Sequence, residues 1–258
     1  MNSLKIARRN WTRNELIVAF NLYCKIPFSK INHRHPLIQK VATAIERTPS
    51  AVAWKLVNFA SLDPSLKARG IKGATNAGKL DKLVFEEFYQ DWNSLAFESE
   101  TLIEDIINKE SKFSEIGKFE IKVGKERESI VKVRVNQSFF RSSVLAAYDN
   151  KCCITGISIS DFLIASHIIP WSIDEKNRLN PENGLCLNPI HDKAFDKGYL
   201  TIDFDYKVKL SKYFNDFKTE HNIQKLFLDF DTKKIELPKR FLPNRDFLAY
   251  HQENIFKK

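Results

Sequence analysis

The sequence predicts an α+β protein in two parts: a helical N-terminal third, and a C-terminal half in which short strands precede a helix. Three observations carry this. Apolar residues recur at helical spacing through the first hundred residues, behind recognisable helix-start signals. Short apolar runs bounded by Gly, Pro and Asn replace that pattern after residue 150. The basic charge is also confined to one part of the chain.

The chain has 258 residues, 43% of them hydrophobic, which is enough for one large or two small cores and argues against chain-wide disorder. The net charge is +9. Residues 1–95 hold 15 Lys and Arg against 7 Asp and Glu, so this third carries nearly all of the excess. Such a surface attracts a polyanion by counterion release, or simply keeps the protein soluble. No apolar run approaches the roughly 18 residues of a membrane span. The start MNSLKIARRNW has no signal-peptide core, so a cytoplasmic protein without membrane contact is expected. Cys24, Cys152, Cys153 and Cys186 do not form the framework of a disulfide scaffold.

Thr12 and Glu15 make a capping box, and Leu16, Ile17, Phe20, Tyr23 and Cys24 follow as one apolar stripe. Pro36 suits the first turn of a second helix. Thr48 and Pro49 open a third, with Val52, Leu56 and Phe59 on its apolar face. Three short helices with a brief turn before the last follow the helix-turn-helix plan. The stretch ERTPSAVAWKLVNF, with Trp11 upstream, resembles the last helix of Myb/SANT-like domains. That resemblance implies DNA contact from its exposed side, with Lys55 and Asn58 on the helix and Arg47 and Ser50 near its start. Packing against the rest of the protein is the plainer alternative. Residues 61–78 read as a basic loop, with Lys67, Arg69 and Lys72 placed to touch phosphates or water. A further helix is expected at 79–93. The domain reading is a helical recognition domain over 1–95, a helical linker over 96–117, and a second domain over 118–258 with its core at 139–204. Within the last, FEIKV and IVKVRV read as strands.

In the second domain, Phe139 to Tyr148 reads as an amphipathic helix and CCITG as a short strand ending in a glycine turn. FLIASH is a buried strand delivering His167 at its end, and a helix begins near Pro189. His167 in ASHIIPW, Asn183 in ENGLCL and the His191-Asp192 pair in IHDKAFD lie 16 and 9 residues apart. Alone, each is a core histidine, a turn or a helix start. In this order and spacing they resemble the HNH endonucleases, whose fold is ββα-metal. The resemblance implies hydrolysis of phosphodiester bonds in double-stranded DNA, with one Mg²⁺ or Mn²⁺ per site. His167 would be the general base, since its ordinary pKa suits deprotonation of water near neutrality. Asp192, a hard oxygen donor, would hold the metal, with His191 as the neighbouring candidate. Adjacent helical residues point about 100° apart, so only one of the two is expected to face it. Asn183 would pin the loop behind His167, and Asp196, one turn on, would reinforce the site or cap the helix.

Two departures from the family pattern matter. Ser166 stands where many HNH enzymes carry an acidic ligand, and the Cys-x-x-Cys pairs of relatives with structural zinc are missing, so no zinc is expected. A reader joined to a cutter resembles bacterial restriction endonucleases, including those aimed at modified or phage DNA. Two strands need two cuts, which favours a homodimer. Three alternatives stay open: a relatively unspecific nicking nuclease, a DNA-binding regulator on a disabled scaffold, and an N-terminal module that binds a protein.

Overall fold

A computed structural model describes residues 9–70, 77–111 and 137–258, without the side chains of 107–111. Lys72 and the expected strands FEIKV and IVKVRV lie outside the described residues. The chain divides into two compact units, Met1–Phe139 and Phe140–Lys258.

In the first unit, α1 (Arg13–Lys25) starts at Thr12. Its hydroxyl accepts from the Glu15 amide, and the Glu15 carboxylate accepts from the Thr12 amide at 2.9 Å. The expected single stripe understates this helix, because Val18, Ala19, Asn21 and Leu22 are buried as well. A helix buried all round belongs at the centre of its unit, and α1 packs against α3 (Pro49–Leu62), α5 (Lys79–Tyr89) and α6 (Trp92–Ser111). The Phe20 ring joins them, 5.0 Å from Phe59 and 5.2 Å from Phe85. Buried Asn21 is tolerated because its amide donates to the Ser99 hydroxyl at 2.7 Å and to Glu100.

Helix α2 (Pro36–Ala44) and α3 pack together, and Thr48 caps α3 through the Ala51 amide, as the Thr-Pro signal predicts. The expected loop after α3 contains a further short helix, α4 (Pro64–Ala68). Buried Asp63 caps it and also accepts from the Tyr23 hydroxyl at 2.8 Å, which ties α4 to the core. Residue 95 is not a structural boundary. It falls inside α6, where Leu95, Ala96 and Ser99 are buried, so the expected linker begins within a core helix.

Helix α7 (residues 137–147) leads into the second unit, which begins at Phe140. Cys152–Gly156 is a turn rather than a strand, with the Gly156 amide bonded to the Cys152 carbonyl and the Cys153 amide to the Cys186 carbonyl, both at 2.8 Å. β1 (Ile164–His167) pairs antiparallel with β2 (Gly184–Leu187), placing His167 opposite Gly184. Helix α8 (Pro189–Asp196) follows at once, capped by Asn188, and packs on β1 and on β3 (Leu200–Ile202). β3 and β4 (Val208–Leu210) form a hairpin. A 3-10 turn over Lys212–Phe217, a short helix α9 (His221–Leu226) and α10 (Arg245–Asn254) complete the unit. His251 on α10 donates from Nε2 to the Phe195 carbonyl at 3.1 Å and stacks on the Phe195 ring, so α10 braces α8.

Gly184 is dictated by packing. A Cβ there would lie 2.3 Å from Val144 Cγ2 and 3.1 Å from Phe140 Cζ, so α7 can reach the strand pair only across a glycine. The described residues include no helix long and apolar enough to cross a membrane.

Candidate active site

The strand–strand–helix sequence of β1, β2 and α8 sets the positions of three of the predicted site residues. His167 ends β1. Its Nε2 lies 2.9 Å from the Arg178 carbonyl, and because a carbonyl only accepts, Nε2 carries the proton. Nδ1 is then the basic nitrogen, with no hydrogen bond among the described residues. The ring lies flat on Phe140, 3.8 Å between centroids and 10° from parallel, and Trp171 meets it edge-on at 5.5 Å. Burial holds this imidazole below its ordinary pKa, against the pull of the Arg178 carbonyl. Arg178 is itself fixed, donating from Nε to the Trp171 carbonyl at 2.7 Å.

Asn183 is buried at the start of β2 and spends its whole side chain on backbone. Oδ1 accepts from the Ile169 amide at 2.8 Å, and Nδ2 donates to the Ile169 and Asn177 carbonyls, each at 3.2 Å. These bonds fasten both ends of the loop that follows His167 and supplies the Arg178 carbonyl.

Ser166, next to His167 on β1, faces Asp192 of α8. Its buried Oγ is near enough to Asp192 to favour the ionised carboxylate, yet closes no well-aligned hydrogen bond. Burial pushes the Asp192 carboxyl up, Ser166 draws it down, and Asp196, one turn further along α8, raises it again. Burial raises Asp196 too, against Lys193 and Lys197.

A divalent ion therefore has a modest but chemically suitable place here. Asp192 and Asp196, one turn apart on α8, and the unsatisfied Ser166 hydroxyl are hard oxygen donors, the kind that suits a divalent ion. Among the described residues, no group of three or more His, Cys, Asp or Glu could hold a metal by itself.

His191 is not available as a ligand. It is 1% exposed; Nε2 donates to the Leu226 carbonyl at 2.6 Å and Nδ1 accepts from Asn188 at 3.1 Å. Phe227 and Phe230 enclose the ring. Beside it, burial pushes the Cys152 thiol up, but its polar neighbours, His191 and Thr155 first, outweigh this and bring it to about 7. All four cysteines are buried, and none is in a disulfide.

The expected DNA contacts on the first unit separate into two groups. Arg47 is buried, paired with Glu15 at 3.0 Å, bonded to the Arg9 and Asn10 carbonyls and stacked on Trp11 at 4.1 Å. Lys55 is buried against Asp81, with both carboxylate oxygens at 2.8 Å, and Asn58 joins them at 3.3 Å. Arg47 and Lys55 hold the helices together, because the exposed face expected for them is the face that packs on α1 and α5. Ser50, Lys67 and Arg69 are exposed.

Sequence reasoning missed Phe140 and the Arg178 carbonyl, which fix the plane and the tautomer of His167. The paired aromatics of the FFR stretch were the available signal for the first. A backbone acceptor leaves no mark in the sequence.

Residues 152–203 match the family model of the HNH endonucleases. The matched segment holds β1, β2, α8 and β3, and with them His167, Asn183 and Asp192. No curated protein matches the chain.

Proposed function

We propose that this protein is a divalent-metal-dependent DNA endonuclease that hydrolyses phosphodiester bonds in double-stranded DNA. The observation that carries the reading is the state of His167: neutral, locked in one tautomer, its basic Nδ1 unused, at a strand end inside the HNH-matched segment. Nδ1 takes the proton of the attacking water as that water closes on phosphorus. The Arg178 carbonyl, bonded to Nε2–H, stabilises the imidazolium that forms, and Phe140 and Trp171 keep the ring in its plane. Asn183 keeps the loop behind it in register. Asp192 would hold Mg²⁺ or Mn²⁺, with Asp196 beside it; the ion supplies Lewis-acid stabilisation of the phosphate and of the leaving oxygen.

On the first unit, Ser50, Lys67 and Arg69 are the predicted contacts that remain exposed, and we assign DNA affinity to them. A restriction or anti-phage role fits the pairing of a basic unit with a cutting one, and buried thiols suit a reducing cytoplasm. Cuts in both strands then call for two copies acting together.

One observation favours a second reading. With Ser166 in the acidic position and no three-ligand group among the described residues, the second unit would be a disabled scaffold and the chain a DNA-binding regulator. Plasmid cleavage titrated with Mg²⁺ and Mn²⁺ separates the two. The nuclease converts supercoiled DNA as metal is added and stops with EDTA, whereas the regulator binds the DNA and leaves it intact at every metal concentration.

A further inference from the structure

Three separate stretches of the second unit bring aromatic rings and lysines to one surface. Tyr199 follows α8, Tyr213 and Phe217 lie on the 3-10 turn, and Lys257 comes from the C-terminal end. The Ser211 amide donates to the Tyr199 carbonyl and the Lys257 amide to the Gly198 carbonyl, both at 2.9 Å, so the convergence is fixed by backbone. The rings follow one another as a tilted ladder: Tyr199 to Tyr213 at 4.9 Å and 42°, and Tyr213 to Phe217 at 5.2 Å and 39°, with Lys257 Nζ 4.0 Å over the Tyr199 ring. Tyr213, the middle rung, is 52% exposed, which is unusual for a ring with aromatic neighbours on two sides. Lys209, Lys212 and Lys218 are exposed in the same segments.

We propose that this ladder is a stacking platform for an unpaired stretch of DNA strand. A flat, half-open ring flanked by mobile ammonium groups recognises a nucleobase by its face and the adjoining phosphates by charge. Asp216 and Glu220, also exposed, share the stretch. The surface is therefore not strongly cationic, and stacking rather than charge dominates its affinity. Tyr199 lies three residues beyond Asp196, which puts the ladder at the C-terminal end of α8. The proposal rests on the reading of the protein as DNA-binding and adds a substrate feature, an unpaired base beside the cleavage site.

The test uses the full chain carrying His167→Ala, so that DNA is bound without being cut. Affinity for a fluorescein-labelled 12-nucleotide single strand and for the matching duplex is measured by anisotropy. Tyr213→Ala weakens single-strand binding roughly tenfold, Tyr213→Phe restores it, and duplex binding changes less than twofold. Equal single-strand affinity of the parent and Tyr213→Ala overturns the platform, as does failure of Tyr213→Phe to rescue. Should Tyr213→Ala not fold, photocrosslinking of an iodouracil-substituted strand to the parent decides: adducts on Tyr213 or Tyr199 support the proposal, and adducts confined to the first unit refute it. Cleavage by the unmodified protein is scored separately, so loss of the nuclease reading and loss of the platform are distinct results.

Discussion

The His167 ring lies parallel to that of Phe140 at 3.8 Å, and this single contact joins the base on β1 to the helix that precedes the whole strand–strand–helix motif. It shields the imidazole from water on one face and so contributes to the low pKa that keeps it neutral. Activity should rise with pH through a pKa below about 6.5 and then level off, since only the neutral ring accepts a proton. In Phe140→Ala the solvated ring returns towards its ordinary pKa, so the acidic limb of the kcat/KM profile moves to higher pH. An unmoved limb would show that Phe140 contributes no shielding.

Gly184 faces that same helix. A methyl group there meets Val144 Cγ2 at 2.3 Å and Phe140 Cζ at 3.1 Å. Gly184→Ala should lose about 1–3 kcal/mol of stability, as overpacking does, and should displace Phe140 from His167. Thermal unfolding and cleavage rate fall together. A variant as stable as the parent would mean that α7 shifts freely, contrary to this packing.

Asn183→Ala removes three side-chain bonds to backbone and leaves the Ile169 amide buried without its partner. The expected cost is roughly 1–3 kcal/mol. A fall in kcat larger than the change in KM is also expected, because the loop holding the Arg178 carbonyl loosens. Asn183→Asp should recover little, since a carboxylate cannot donate to the Ile169 and Asn177 carbonyls.

His251 is a pH sensor of stability. Buried and stacked on Phe195, it is held down to about 4, by burial first, with the Phe195 carbonyl opposing. The unfolded chain binds its proton near 6.5 and the folded chain only near 4, so stability is complete above the first value and declines between them as pH falls. The loss is on the order of 3 kcal/mol by the second value. Urea unfolding from pH 7 to 4 measures it, and His251→Gln should flatten the slope.

Lys55 and Lys67 should behave in opposite ways. Lys55→Ala strands buried Asp81 without its cation, costing about 3–5 kcal/mol, and leaves the salt dependence of DNA binding unchanged. Lys67→Ala is neutral for stability and lowers the salt slope by roughly one. Equal effects of the two on DNA affinity would mean that the exposed basic face is not where contact occurs.

How much of this was legible in the sequence depends on how local each cause is. Thr12, Thr48 and Pro49 announce their helices because capping is decided within four residues. The order of His167, Asn183 and Asp192 carries the strand–strand–helix motif through resemblance to a known family rather than through a local rule. The directions of Arg47 and Lys55 were not legible, because Glu15 and Asp81 lie 32 and 26 residues away in sequence and a cation on an apolar helix reads as exposed until its partner is seen. His191 was equally ambiguous beside Asp192, since the Leu226 carbonyl that claims it comes from a distant helix. Residues 152–156 read as a short strand ending in a glycine turn; the turn at Gly156 is there, but it takes up the residues before it as well, so no strand forms.

The most direct measurement is cleavage of a labelled DNA duplex in single turnover with Mg²⁺ or Mn²⁺, comparing the parent with His167→Ala and Asp192→Asn, each checked for folding by thermal melt. The account predicts cleavage by the parent and a loss of at least about 100-fold in His167→Ala, the usual scale for a general base. Asp192→Asn should be rescued in part by higher metal concentrations. A folded His167→Ala protein that cuts as fast as the parent would contradict the account at its centre.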